Sequence, residues 1–212
     1  MGQGDRRRRS RSAEAMVEDA AAELGGIDTI VCNVSALAVG NTPETRENLF
    51  RVEMMHTVNS VAAALPFLEK SGSASIVIVA SVSGFEIDFA AGSYGAFKAA
   101  LIHYSKGLSN QLIAKGIRVN VVSPGNTYFE GGIWQNIETG SPDLYKMAMS
   151  LNPTARMGTP QEVAAGFCLS QVRGEPDFRH QSDHRWRAHQ RGLISGDMTK
   201  GGCGPCCIRN LG

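Results

Sequence analysis

The chain has 212 residues, of which 42% are hydrophobic and 19% are charged, and its formal net charge is +1. This composition is typical of one globular domain and excludes fibrous and wholly disordered proteins. The near-neutral charge, the lack of a membrane-spanning run and the lack of a secretory signal lead us to expect a cytoplasmic protein without a nucleic-acid or membrane partner.

The chain begins with a basic segment, residues 1–12, that contains a run of arginines without any aromatic or fold signature. We therefore expect a disordered start that does not bind nucleic acid. Residues 13–24 have the spacing of an amphipathic helix, with Ser12 as its N-cap and Gly25 at its end. The short, β-branched run at 28–34 then predicts a strand that is buried on both faces.

The same alternation of helix and strand continues along the chain. The further predicted elements are a long helix at 42–70, a strand at 74–81, a helix at 93–116, a strand at 117–125, and helices near 128–137, at 142–150 and from Thr159. Strands that alternate with helices through short turns predict a parallel sheet with right-handed crossovers.

The segment SYGAFK places Tyr94 and Lys98 four residues apart on one predicted helix, so that their side chains share a face. A phenol has an ordinary pKa of about 10, and a nearby cation is expected to lower it. Tyr94 would then exchange a proton with a carbonyl or an alcohol. Ser81 ends the preceding predicted strand, where ligands bind parallel sheets. If only the spacing of Tyr94 and Lys98 is considered, the alternative to a catalytic pair is an exposed tyrosine beside a solvated lysine without a function.

Five segments in order, DTIVCNVS, SIVIVASVSG, SYGAFKAAL, IRVNVVSPGNT and RMGTPQEVA, resemble the short-chain dehydrogenase/reductase family over roughly residues 13–168. The resemblance implies a Rossmann-type, doubly wound α/β fold and hydride transfer between NAD or NADP and a carbonyl or alcohol. It implies that Ser81 polarises the carbonyl, that Tyr94 is the acid/base, and that Lys98 lowers the pKa of Tyr94 and holds the nicotinamide ribose.

The resemblance also implies a set of residues that contact the cofactor. These are Asn33, Tyr94, Lys98, Pro124, Gly125, Asn126 and Thr127. The segment SPGNTYFEGG is similar to bacterial reductases of the 3-oxoacyl or general alcohol type. The substrate, the choice between NAD and NADP, and assembly into a homo-oligomer stay open.

Two departures from the family pattern affect the site. The family's Asn-Asn-Ala-Gly becomes Cys32-Asn33-Val34-Ser35, which loses the glycine. The family's fourth catalytic residue, an asparagine, falls at Glu53 rather than at Asn59, and replacement by Asn59 is the alternative.

Two expected parts of the fold are missing from the sequence. No glycine-rich turn after a first strand precedes residue 13, and no family-like last strand follows residue 168. We therefore expect a sheet that is incomplete at both ends, with unpaired edges that favour aggregation. The alternative to an active oxidoreductase is a non-catalytic remnant that is unable to bind cofactor.

Residues 169–212 form an irregular tail that includes DFRHQSDHRWRAHQRG. If the codons of Phe178 to His189 are read one base later, they permit SGTNLTIDGALT, which resembles the missing strand, so we interpret the tail as out of frame. The metal alternative would use His180, His184, His189, Cys203, Cys206 and Cys207. We expect no metal site, because the one Cys-x-x-Cys pair lacks a second pair.

Overall fold

A computed structural model describes residues 12–171 and 206–210. The expectations for the arginines of the start and for the histidines, arginines and reading frame of the tail fall outside these residues. The described residues belong to two compact units, of which the first runs to Val121 and includes Asn210 and the second begins at Val122.

Helices and strands alternate as the sequence predicted. The helices are α1 (Ala13–Leu24), α2 (Pro43–Leu49), α3 (His56–Leu68), α4 (Ser93–Leu112), α5 (Ile133–Gly140), α6 (Pro142–Ser150) and α7 (Pro160–Gln171). The strands are β1 (Thr29–Cys32), β2 (Ser75–Val79), β3 (Arg118–Pro124) and β4 (Cys206–Asn210). A π-helical segment, Phe50–Met55, joins α2 to α3, and turns of 3₁₀ helix lie at Val82–Gly84 and Ile113–Lys115.

The strands form one sheet in the order β1-β2-β3-β4. β1 and β2 are parallel, with Thr29 opposite Ser75. The expectation of an α/β fold with an incomplete sheet is therefore confirmed. β1 lies at an edge of the sheet, as expected. The sequence also led us to expect an unpaired edge at β3, and this prediction is wrong, because β4 lies beside β3. β4 was not predicted, since its five residues, CCIRN, show no alternation of apolar and polar side chains.

The core of the first unit lies between the sheet and helices α1, α3 and α4. Its fully buried members include Val61, Leu68, Ile76, Ile78 and Ile117. β2 is central in this core, because every side chain from Ser75 to Ile78 is buried. Burial on both faces explains why β2 reads as a continuous apolar run rather than as an alternating one.

The predicted helix caps are confirmed. Ser12 Oγ accepts a hydrogen bond from Ala15 N at 3.2 Å, and Thr42 Oγ1 accepts one from Thr45 N at 3.2 Å. Gly25 ends α1 in the left-handed conformation, with a φ of 78°. A β-carbon would oppose this conformation, so glycine is favoured there.

Two helices differ from their predicted bounds. The helix expected over 42–70 contains the π-helical segment, whose extra residue per turn leaves no signature in apolar spacing. The helix expected from 128 begins at Ile133, because Gly131 adopts a φ of 78° and interrupts helical geometry. In the second unit α5 and α6 pack around a small cluster of Trp134, Ala148 and Met157. No described helix is both long and apolar enough to cross a membrane.

Candidate active site

Ser81 lies just beyond the carboxyl end of β2, where it caps the 3₁₀ turn Val82–Gly84. Its Oγ accepts a hydrogen bond from Ser83 N at 3.2 Å. Ser83 Oγ in turn donates to Asp88 Oδ2 at 2.7 Å, and Asp88 Oδ1 accepts from Ala90 N at 2.8 Å. These bonds fix the segment after β2 and therefore the position of the Ser81 hydroxyl.

The start of α4 is held close to this segment. Asn41 Oδ1 accepts hydrogen bonds from Ser93 N at 2.9 Å and from Ser93 Oγ at 2.8 Å. A β-carbon at Gly95 would lie 2.7 Å from the carbonyl oxygen of Ser83. Only glycine allows this close approach of backbone to backbone. It brings Tyr94, the residue before Gly95, next to Ser81.

Tyr94 is largely buried, and the side chains of Ser81 and Ser35 are among the groups that act on its hydroxyl. The pKa of Tyr94 is raised from its ordinary value of 10.0, mainly because burial disfavours the phenolate. The negative charges of Glu53 and Asp88 raise this pKa further, whereas the side chains of Ser81 and Ser35 act to lower it. The net shift of the pKa is therefore upward, and the expectation that Lys98 lowers it stays a prediction.

Lys98 occupies the predicted position but its charge is already paired. Its Nζ lies 5.5 Å from the centroid of the Tyr94 ring, donates a hydrogen bond to the carbonyl oxygen of Val79 at 3.2 Å, and lies 2.8 Å from Glu53 Oε2. The lysine and glutamate side chains are only 3% and 0% exposed. The carboxylate balances the charge of the ammonium, so the two side chains act on the phenol as an ion pair rather than as a lone cation.

Glu53 belongs to the π-helical segment, and its other oxygen binds the loop after β1. Oε1 accepts hydrogen bonds from Ser35 Oγ at 2.6 Å and from Ala36 N at 2.9 Å. Glu53 is thus the residue that contacts Lys98, whereas Asn59 lies half-buried farther along α3. The residue at the family's asparagine position, as counted in the sequence, is thus the one that contacts Lys98.

Sequence reasoning missed two residues of the site, Ser35 and Asp88. Ser35 had a signal, since it stands where the resembled pattern has a glycine and therefore adds a hydroxyl at that position. Asp88 had no signal in the sequence, because one aspartate in a turn-rich segment is usually a solvated side chain or a local turn residue.

The remaining predicted cofactor residues lie in two places. Asn33 is exposed directly after β1 in the first unit. Pro124, Gly125, Asn126 and Thr127 belong to the second unit, at the end of β3. Within that unit, Asn126 O accepts a hydrogen bond from Gly158 N at 2.8 Å, and Thr127 Oγ1 donates to Gly125 O at 3.1 Å. The loop after β3 therefore has a fixed conformation.

The described residues fit one end of a dinucleotide cofactor. Tyr94 and Lys98 supply a hydroxyl and an ammonium that suit ribose hydroxyls, and Asn33 supplies an exposed amide close by in sequence to Ser35. A pyrophosphate instead requires backbone N–H groups that glycines expose in a turn after a strand. None of the described strands is followed by a Gly-x-Gly spacing. The fit therefore covers a ribose of such a cofactor and does not extend, among the described residues, to its pyrophosphate.

The known proteins that this chain resembles agree with the site. A family model described as enoyl-(acyl carrier protein) reductase matches residues 8–169. The chain belongs to the short-chain dehydrogenase/reductase family. The match covers the loop after β1, the π-helical segment, β2 and α4, so all the side chains of the cluster described above lie in the family's region.

Two curated relatives of this short-chain dehydrogenase/reductase are isoepoxydon dehydrogenase patN from Penicillium expansum and 2-dehydro-3-deoxy-L-rhamnonate dehydrogenase (NAD(+)) from Sphingomonas sp. The first is 38% identical over 149 residues, which are 70% of this chain and 58% of the relative. The second is 31% identical over 164 residues, which are 73% of this chain and 62% of the relative. The chain therefore spans less than two thirds of the length of either relative.

Among solved structures, ElxO with NADP bound superposes with a TM-score of 0.69 at 21% identity, covering 76% of this chain and 66% of ElxO. At this identity the likeness shows the fold. The Rossmann-type, doubly wound α/β class expected from the sequence is confirmed.

Proposed function

We propose that this short-chain dehydrogenase/reductase transfers a hydride between NAD or NADP and the carbonyl or alcohol carbon of a small molecule. The observation that carries the proposal is the cluster itself: the Ser81 side chain acts on the Tyr94 hydroxyl, and the buried Lys98 Nζ lies 5.5 Å from the centroid of the Tyr94 ring. The name of the Sphingomonas relative includes NAD(+), and the ElxO structure holds NADP, which supports either cofactor. The proposal places the protein in the cytoplasm, without a nucleic-acid or membrane partner.

The residues of the cluster have separate roles in such a reaction. The bound cofactor supplies the hydride in reduction and accepts it in oxidation. Ser81 donates a hydrogen bond to the substrate oxygen and so stabilises the negative charge that develops there. Tyr94 gives its phenolic proton to that oxygen in reduction and takes it back in oxidation. A phenol with its ordinary pKa of about 10 is protonated at neutral pH, as a proton donor must be, and the burial of Tyr94 acts in the same direction.

The test separates cofactor binding from chemistry. We expect NADH or NADPH fluorescence to change on addition of the whole chain, and the Tyr94→Phe variant to keep this change but lose turnover of a 3-oxoacyl thioester or an aliphatic ketone. Tyr104→Phe is a matched control, because Tyr104 lies on the same helix and packs against the core. It should retain turnover.

Two results would overturn the proposal. The first is turnover by Tyr94→Phe equal to that of Tyr104→Phe, since the phenol would then carry no proton. The second is the absence of any fluorescence change at millimolar NADH and NADPH, which would support the alternative of a non-catalytic remnant.

A further inference from the structure

Glu53 connects three parts of the cluster that are distant in sequence. Its Oε1 binds Ser35 Oγ at 2.6 Å in the loop after β1, and its Oε2 lies 2.8 Å from Lys98 Nζ on α4. Lys98 in turn lies beside the Tyr94 ring, and the Ser35 side chain acts on the pKa of Tyr94. Contacts therefore run from Ser35 through Glu53 and Lys98 to Tyr94. We call these four residues the Glu53 circuit.

The backbone around the circuit is unusual at two independent places. Glu53 is presented by a π-helical segment, Phe50–Met55, in a helix that is otherwise regular on both sides. Such segments are rare and occur mainly at functional sites. Leu37 adopts a positive φ of 47° although it is not a glycine, and its N–H donates to Ser35 Oγ at 3.2 Å. A strained residue of this kind persists only where its surroundings hold it.

The burial of Glu53 makes its charge significant for its neighbours. Its side chain is 0% exposed, so the carboxylate acts on nearby groups with little screening by water. The ammonium of Lys98 is equally buried and is the cation that the carboxylate contacts. A neutral amide at this position would leave the ammonium without a counter-charge.

We propose that Glu53 is a positioning residue of the reaction, which acts with Ser35 to hold the Lys98 ammonium beside Tyr94 and to balance its charge. This inference rests on the proposed function, because it assigns Tyr94 the role of proton donor. The two departures from the family pattern, at Ser35 and Glu53, contact one another and so act as one replacement.

Three charged groups face the Tyr94 phenol from three different elements. They are Lys98 from α4, Glu53 from the π-helical segment and Asp88 from the segment after β2. Removing the negative charge of Glu53 removes one repulsion of the phenolate and frees the attraction of Lys98. Both changes lower the pKa of Tyr94. Removing the Ser35 hydroxyl instead removes a hydrogen bond that lowers this pKa, so the pKa rises.

The experiment is a spectrophotometric titration of tyrosinate in the whole chain without cofactor. The Tyr94→Phe substitution in each background isolates the Tyr94 signal by difference. Glu53→Gln keeps the size of the side chain and its amide oxygen as an acceptor for Ser35, but it removes the charge. We expect it to lower the Tyr94 midpoint by at least about one pH unit. Ser35→Ala should move the midpoint upward.

Glu69→Gln is the matched control, because Glu69 forms an ion pair with Lys115 in which the side chains are 44% and 53% exposed. It should leave the Tyr94 midpoint unchanged. A folded Glu53→Gln variant with an unchanged midpoint, or a control that shifts as far as Glu53→Gln, would overturn the proposal. If Glu53→Gln fails to fold, Ser35→Ala decides, since a folded Ser35→Ala variant whose midpoint is unchanged overturns the proposal equally.

The titration does not depend on cofactor or turnover, so its outcome is independent of the test of the proposed function. If NADH and NADPH fail to bind but the Tyr94 midpoint shifts as expected, the proposed function fails and the positioning of Lys98 by Glu53 stands. If cofactor binding and turnover are found but neither variant moves the Tyr94 midpoint, the proposed function stands and the positioning role of Glu53 fails.

Discussion

Glu53 and Lys98 form an ion pair that is removed from water, with 2.8 Å between Oε2 and Nζ and side chains that are 0% and 3% exposed. The pair joins the π-helical segment to α4, and Lys98 also binds the last carbonyl group of β2, at Val79. The same contact that orders these elements sets the electrostatic environment of Tyr94. Stability and chemistry are therefore coupled at this point of the fold.

Breaking this pair from one side should be costly. We expect Lys98→Met to lower the free energy of unfolding by about 3–5 kcal/mol, because Glu53 is left as a buried charge without a partner. The double variant Lys98→Met with Glu53→Gln should regain a large part of this loss, since neither remaining group is charged. Urea unfolding followed by circular dichroism measures both.

The exposed pair between Glu69 and Lys115 provides the comparison. Exposed ion pairs contribute little, so Lys115→Met should remain within about 1 kcal/mol of the wild type. A Lys98→Met variant that loses no more stability than Lys115→Met would show that the burial of the pair has no energetic weight.

Two glycines of α4 should respond in opposite ways to the same substitution. A β-carbon at Gly95 would lie 2.7 Å from Ser83 O, whereas at Gly107 it would meet nothing within 4 Å. Gly95→Ala should therefore push α4 away from the Ser81 turn, destabilise the fold by about 1–3 kcal/mol and abolish turnover. Gly107→Ala should stabilise the helix by about 0.5–1 kcal/mol.

Thermal or urea unfolding and the turnover assay distinguish these outcomes. The close approach of α4 to the Ser81 turn would be refuted by a Gly95→Ala variant that matches Gly107→Ala in both stability and turnover.

The local parts of the site were predictable from the sequence, because they depend on spacing within one element. Tyr94 and Lys98 share a face of α4, and Ser81 follows β2, as the residue spacing predicted. The environment of Tyr94 was not predictable, because it depends on a contact between Ser35 and Glu53, which are 18 residues apart, and on a π-helical segment. Neither leaves a periodic pattern.

The same distinction applies to the fold. β1, β2 and β3 were predicted because burial on both faces produces apolar, β-branched runs. β4 was not, since its position beside β3 is set by pairing of backbone groups and its sequence carries no strand pattern.

Cys32 should make the protein less stable in alkali. Burial raises the pKa of its thiol from 9.0 to about 12. The thiol of the unfolded chain ionises near the lower value, so above it the unfolded state binds fewer protons than the folded state. The contribution of the Cys32 thiol to the free energy of unfolding is complete below pH 9 and is lost as the pH rises toward 12. The loss is at most about 1.4 kcal/mol per pH unit.

The measurement compares urea unfolding of the wild type and Cys32→Ala at pH 8 and pH 10. The wild type should lose about 1 kcal/mol more than the variant over this interval. Loss of packing in the variant lowers its stability at both pH values equally and does not affect the difference. Equal losses in the two proteins would mean that the thiol ionises in the folded state near its ordinary pKa.

The first turn of α7 is stabilised by a reciprocal cap between Thr159 and Glu162. Thr159 N donates to Glu162 Oε2 at 2.9 Å, and Glu162 N donates to Thr159 Oγ1 at 3.3 Å. Thr159→Ala removes the hydroxyl acceptor and should lower the free energy of unfolding by about 1 kcal/mol, whereas Thr159→Ser retains it. Hydrogen exchange of the Glu162 amide gives a local measure, because its protection depends on the Thr159 hydroxyl. Exchange at the same rate in the alanine and serine variants would mean that this hydroxyl does not protect the start of α7.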